Sequence, residues 1–269
     1  MLVLPEPAAS VFVLAVGLVL GSFLNVCIYR LPVGQSVVTP RSRCPRCEKL
    51  IVWYQNIPVL SWLLLRGRCS NCSVPISIRY PFVEALSGVS VLLLWRTFGY
   101  QAAFPVAAAF VLAMIALFFT DLDHQLLPDA ITLTGFATGM AIAWFNPFLT
   151  GEGWGRIWVA LSGAALGSGL LWGVGAIYGK LRGVEAMGMG DVKMMAMVGA
   201  FTGPGGVLVT IFAASLVGAV VGVAMIPLGG RTMQDKLPFG CFLAPAAVAA
   251  LLVGRQAIEA YLRLLTSGA

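Results

Sequence analysis

The sequence predicts an all-α polytopic membrane protein with about eight transmembrane helices and a small cytosolic loop domain after the first. Three observations predict this. Hydrophobic residues make up 59% of the 269-residue chain and charged residues only 10%, whereas a soluble domain carries about 25% charge. The apolar residues run continuously and do not alternate, so helices are expected and a barrel is not. Polar residues concentrate in one segment, 30–80, together with four of the six cysteines. The net charge of +6 is then a matter of orientation in a membrane, and no nucleic-acid partner is expected.

The first apolar span covers residues 8–29. It is preceded by Glu6 and followed by Arg30, the reverse of a signal peptide, so a retained helix with its N-terminus outside the cytosol is expected. Residues 30–80 carry Arg30, Arg41, Arg43, Arg46, Lys49, Arg66, Arg68 and Arg79 against one acid, Glu48. The positive-inside rule places such a loop in the cytosol. Further spans are expected at about 82–98, 102–120, 130–148, 157–178, 192–203, 207–228 and 242–265. The turn Gly203-Pro-Gly-Gly206 divides the sixth from the seventh and reads as the bend of a helical hairpin. With eight crossings, all but Arg96, Arg156, Arg255 and Arg263 of the 17 basic residues fall on the cytosolic side. The segment 192–203 is short, about 18 Å against a core of about 30 Å. Either its helix starts before Asp191 or it is partly re-entrant; if it does not cross, Arg231 and Lys236 lie outside. No internal repeat stands out.

Cys44-Pro-Arg-Cys47 and Cys69-Ser-Asn-Cys72 are two C-x-x-C pairs whose spacing suits a tetrahedral Zn²⁺ site. Two disulfides are the alternative, which a reducing cytosolic loop disfavours. Four thiolates leave no open coordination position, so the expected zinc is structural. Cys27 and Cys241 lie in apolar spans and read as core residues.

Asp121 closes the third span and Asp191, in Gly188-Met-Gly-Asp191, opens the sixth, both at the cytosolic edge. Two carboxylates brought together resist ionising at once, so one serves as general base and the other as general acid. That pairing suits hydrolysis of a peptide bond by water. The glycines beside Met189 leave room for another backbone near the carboxylate. Asp123 lies about 200° around a helix from Asp121 and cannot face the same partner. Asp129 follows Pro128 and reads as a helix cap. Glu185 reads as a loop residue paired with Arg182 or Lys180, His124 as interfacial, and Lys193 as biasing Asp191 or snorkelling to the surface. The competing class is a proton-coupled transporter in which Asp121 and Asp191 relay protons.

These residues resemble the bacterial type IV prepilin peptidases, bifunctional leader peptidases and N-methyltransferases of the GxGD aspartic class. The likeness covers Gly21-Ser-Phe-Leu-Asn-Val26, both cysteine pairs, Asn56-Ile-Pro-Val-Leu-Ser-Trp62 and Arg79-Tyr-Pro-Phe-Val-Glu84. It continues through Asp121-Leu-Asp-His-Gln-Leu-Leu-Pro-Asp129, Gly188-Met-Gly-Asp-Val-Lys193 and Pro238-Phe-Gly240. The resemblance implies a catalytic Asp121–Asp191 dyad, prepilin and pseudopilin substrates of type IV pili or type II secretion, and N-methylation with S-adenosylmethionine. It places the cysteine loop in the methyltransferase half. It also implies the bacterial inner membrane, with a periplasmic N-terminus and a cytosolic active site. A peptidase that has lost methyl transfer is a further alternative. The expected organisation is a first helix, 1–30, a four-cysteine zinc loop of the methyltransferase half, 31–80, and an aspartic peptidase core, 81–269. The basic loop is expected to contact anionic lipid headgroups. Where the family commonly has proline after Pro-Phe-Gly, this chain has Cys241. The S-adenosylmethionine pocket is not visible in the sequence, which has no glycine-rich nucleotide loop of the usual kind.

Overall fold

A computed structural model of the protein describes residues 6–183, 187–225 and 238–267. Its elements are α1 (Glu6–Arg30), a short α2 (Leu60–Leu64), α3 (Arg79–Phe98), α4 (Ala103–His124), α5 (Asp129–Ile142), α6 (Trp154–Arg182), α7 (Met189–Met225) and α8 (Gly240–Ser267). The described residues contain no strand beyond two isolated bridges, Arg43 with Leu50 and Arg68 with Pro75. Six of the helices, α1, α3, α4, α6, α7 and α8, are long and apolar enough to cross a membrane, and the chain is a multi-pass membrane protein. Helix stops follow local chemistry. Gly99 ends α3 with its N–H on the Trp95 carbonyl, and Gly183 ends α6 in the left-handed conformation.

Helices occupy every position where a span is expected, but not all are of spanning length. The 14 residues of α5 reach about 21 Å, short of a hydrocarbon core of about 30 Å. The break expected at Gly203-Pro-Gly-Gly206 is present: Gly203, at φ 69 and ψ −177, is non-helical inside α7. It is a reversal of direction. A Cβ on Gly218 would stand 3.4 Å from Phe242 at the start of α8, and one on Gly205 would stand 3.0 Å from Ile258 further along it. The second arm of α7 therefore runs antiparallel to α8, while its first arm begins beside the start of α8, as the site below shows. The first arm starts at Met189, so Asp191 lies inside the helix's first turn and not before it. Arg231 and Lys236, on which one topology argument turned, lie outside the described residues, as does Glu185.

The chain divides into two compact units, residues 1–116 and 117–269, with the boundary inside α4. In the first, α1 meets α3 through Gly17 and Gly21, four residues apart on one face. Added Cβ atoms there would stand 2.9 Å from the Gly88 Cα and 2.8 Å from the Glu84 Cα, the close approach that small residues allow between membrane helices. Ala9, Val13, Val91, Trp95 and Leu112 form the adjoining core. In the second unit the same device joins α6 to the first arm of α7. A Cβ on Gly163 would fall 2.5 Å from the Gly199 carbonyl oxygen, and one on Gly167 2.5 Å from that of Met195. Gly163→Leu is accordingly expected to cost more than the roughly 1–3 kcal/mol typical of overpacking. It should appear as a lower melting temperature of the purified protein; an unchanged one would refute the close contact.

Candidate functional site

Two chemical centres emerge, one in each unit. In the first, Cys44, Cys47, Cys69 and Cys72 bring their sulfurs within 4.8 Å of one another, and all are free thiols. The Cys44 and Cys72 sulfurs are 3.7 Å apart. A zinc tetrahedron with sulfur at about 2.3 Å has an edge of about 3.8 Å, so the Cys44–Cys72 pair matches that edge and the four donors are grouped as such a metal needs. Disulfides, the alternative, are absent among these four residues.

The two cysteine pairs are built alike, a repeat that the sequence hides because few side chains are shared. Cys44 N–H donates to the Lys49 carbonyl at 3.0 Å and Glu48 N–H to the Cys44 carbonyl at 2.9 Å. Cys69 N–H donates to Val74 at 2.9 Å and Ser73 N–H to Cys69 at 3.0 Å. Glu48 and Ser73 both turn at φ 56. Each knuckle thus curls its backbone amides toward its sulfurs. N–H groups of Cys72 and Asn71 hold the Cys69 thiol down at about 6, and the Lys49 N–H lowers Cys47. The Val74 N–H acts likewise on Cys72, but burial and the three neighbouring thiols outweigh it and push that group up to about 11. Thiolate-favouring donors suit a cation held among the four sulfurs.

The second centre lies at the end of α4 and the starts of α7 and α8. Asp121 is in the last turn of α4, inside the helix and not beyond it, and is only 5% exposed. Asp123, two positions on, faces outward, as helix geometry requires. Asp121 Oδ2 accepts the backbone N–H of Cys241 at 3.0 Å. Gly240 makes this approach possible, since a Cβ there would stand 2.8 Å from that same oxygen. Cys241 is buried, as expected, and its thiol donates to the Phe118 carbonyl at 3.4 Å. Its backbone contact with Asp121 was not legible, because nothing in a side-chain pattern marks an amide.

Asp191 is half-buried, and its Oδ1 is fully buried with no hydrogen-bond partner among the described residues. It lies within electrostatic reach of Asp121. The flanking glycines do make room, though for different neighbours. A Cβ on Gly188 would be 3.2 Å from Asp191 Oδ2, and one on Gly190 3.0 Å from the Leu127 Cβ. Leu127 also packs against Gly240, so the link between α4 and α5 lines the centre.

Asp129 does not cap α5, whose N-cap is Pro128 and carries no side-chain cap bond. Its carboxylate instead takes Lys193 Nζ at 2.7 and 2.8 Å, joining the first turns of α5 and α7. Lys193 is therefore neutralised away from Asp191, and being partly exposed the pair adds little stability.

Comparison with known proteins agrees with this division. The profile of the Bacterial Peptidase A24 N-terminal domain matches residues 15–98, and that of the Type IV leader peptidase family matches residues 108–223, which include both aspartates. A prepilin leader peptidase/N-methyltransferase of Myxococcus xanthus is 44% identical over 225 residues, 84% of this chain and 65% of that protein. Proteins of the same name from Stutzerimonas stutzeri and Pseudomonas putida are 37% and 35% identical; the first match covers 93% of this chain and 92% of the relative, the second 97% and 96%. No solved structure matches the chain. With relatives this similar aligned almost end to end, and all four clustered cysteines and both aspartates inside the matched stretches, the chain belongs to the type IV leader peptidase family.

Proposed function

We propose that the protein cuts the short basic leader from prepilins and pseudopilins at the cytosolic face of the bacterial inner membrane, and then methylates the new N-terminus with S-adenosylmethionine. The observation that carries the peptidase reading is the asymmetry of the aspartate pair. Asp121 is buried and fixed by the Cys241 amide, while Asp191 keeps one buried oxygen without a partner among the described residues. Such a pair resists double ionisation. The ionised carboxylate takes a proton from the attacking water, and the protonated one gives a proton to the departing amine nitrogen. We assign the base to Asp121, whose ionised form the Cys241 N–H stabilises, and the acid to Asp191, whose buried Oδ1 has no donor among the described residues to stabilise a charge.

Orientation supports the same reading. The basic segment 30–80 belongs in the cytosol, with the N-terminus periplasmic. Trp53, Tyr54, Leu60, Leu63 and Leu64 are exposed on this segment, the residue types that settle at a lipid interface, and its arginines suit anionic headgroups. Cys44, Cys47, Cys69 and Cys72 hold a structural zinc. S-adenosylmethionine supplies an electrophilic methyl group to the amine freed by cleavage.

Mass spectrometry of the N-terminus of a prepilin co-expressed with the protein tests both activities together. The expected product lacks its leader and carries one added methyl group. An uncut prepilin would overturn the peptidase reading, and a cut but unmethylated one the methyltransferase reading.

A further inference from the structure

α5 and the first arm of α7 form a pair shorter than the bilayer they belong to. They run side by side in the same direction. Asp129 meets Lys193 at their starts, and Gly135 packs on Met197 and Gly139 on Phe201 further along. Beyond the end of α5, Asn146 donates its Nδ2 to the Phe201 carbonyl at 2.9 Å. Both ends of the pair are polar. At one stands the partly exposed Asp129–Lys193 ion pair. At the other, Arg156 donates to the Gly151 and Trp144 carbonyls, Glu152 is exposed, and the exposed Trp144 and Trp154 rings meet edge to face. Charges and tryptophans of this kind mark a membrane–water boundary. Yet the 14 residues of α5 set the two boundaries only about 21 Å apart, against about 30 Å for a hydrocarbon core.

The neighbouring helix does not share this limit. The apolar stretch of α6, Trp154–Leu181, reaches about 42 Å. A Cβ on Gly175 of α6 would stand 3.0 Å from Met187, just before α7, and exposed apolar side chains continue past that level at Ile177, Tyr178 and Leu181. The apolar surface of α6 therefore extends about 9 Å beyond the level at which α7 begins. The shortfall belongs to the flank made by α5 and the first arm of α7. Snorkelling does not relieve it, because Asp129 carries its charge on a short side chain.

Resting on the cleavage reading above, we propose that this flank is a surface for thinned lipid. Acyl chains against α5 are drawn down to about 21 Å, while those against α6 keep the ordinary depth. Asp191 lies two residues before Lys193 in α7, and Asp121 lies in the last turn of α4, one short link before Asp129. The thinned lipid thus brings the aqueous boundary to the aspartate pair. A substrate helix seated in that lipid presents its leader junction at the boundary, with the basic leader in water and the apolar helix in hydrocarbon.

The test uses the purified full-length protein in dioleoyl phosphatidylcholine vesicles, with a polarity-sensitive fluorescent amino acid placed singly at Leu133, Ala141 or Leu216. All three positions are exposed. Leu133 and Ala141 lie about one turn inside either end of α5, and Leu216 lies near the middle of the second arm of α7. Both α5 probes should emit to the red of the Leu216 probe, since each lies within about 6 Å of a boundary. An unthinned bilayer sinks one end of α5 or both, so emission at Leu133 or Ala141 as blue as that at Leu216 overturns the inference. Asp129→Asn combined with Lys193→Gln should release the boundary at that end and move the Leu133 probe to the blue; if this variant does not fold, the emission of the unaltered background still decides. Cleavage of co-reconstituted prepilin should be fastest in dimyristoleoyl lipid and fall several-fold through dioleoyl to dierucoyl lipid. A rate that is flat or rises with chain length overturns the link between thinning and cleavage. A protein that cuts prepilin neither in vesicles nor in detergent loses the cleavage reading, while the emission still decides the thinning.

Discussion

Asp191→Asn is expected to abolish prepilin cleavage while the protein still inserts and keeps its cysteine cluster. The amide matches the carboxylate in size, so packing against Gly188 survives, but it has no carboxylic proton to give the leaving nitrogen. Positioned acid–base groups contribute about 10²–10⁴-fold each, so a loss at or beyond that range follows. Asp121→Asn should fall comparably, for a different reason. Its Oδ2 is held by the Cys241 amide; an asparagine that turns its oxygen to that amide keeps the contact yet cannot take a proton from water. Asp123→Asn is the control, since that side chain faces away from the pair. Cleavage measured on purified prepilin in detergent, with insertion checked by membrane fractionation, reads all three. Full cleavage by either Asp121→Asn or Asp191→Asn would refute the dyad. Loss in Asp123→Asn alone would move the acid two residues along α4.

Much of this centre was legible because its parts are punctuated by unusual residues. An aspartate at a membrane helix end is costly, and a glycine on each side of Met189 marks close packing, so Asp121 and Asp191 stand out before any fold is known. The helical repeat shows that Asp121 and Asp123 cannot face one partner; the choice of Asp121 rests on the family motif. The bend at Gly203 was equally visible, because Gly-Pro-Gly-Gly cannot continue a helix. What sequence could not show were contacts made by backbone or by absent side chains. The Cys241 amide on Asp121 depends on Gly240 having no Cβ. The Asp129–Lys193 pair depends on two helix starts 64 residues apart in sequence being neighbours. A cavity of about 870 Å³ in the first unit was hidden for a related reason. Its lining is dispersed over α1, the loop and α3, and its buried carboxylate, Glu84, looks in sequence like an ordinary residue in the second turn of a helix.

Removing zinc should unfold the cysteine loop and leave the helices standing. Among residues 31–78 only Cys44, Ser61 and Gly67 are buried, so the segment has almost no apolar core of its own. Two knuckles joined through one metal replace that core. Structural zinc in small peptides is worth about 10–16 kcal/mol at neutral pH, far more than the few hydrogen bonds that cross between the knuckles, such as Lys49 to Asn71 at 2.9 Å. Purified protein should therefore contain about one zinc per chain. Cys69→Ser should lose it, because serine offers no thiolate at the position where two backbone amides already favour one. Protease digestion should then cut within 31–78 while the helical content by circular dichroism changes little. Acid should act in the same direction, since protons compete with the metal for the thiolate sulfurs. Cleavage should persist, since both aspartates lie in the other unit. Undiminished zinc in Cys69→Ser would count against the site, and loss of cleavage on zinc removal would show that the loop does more than hold its own fold.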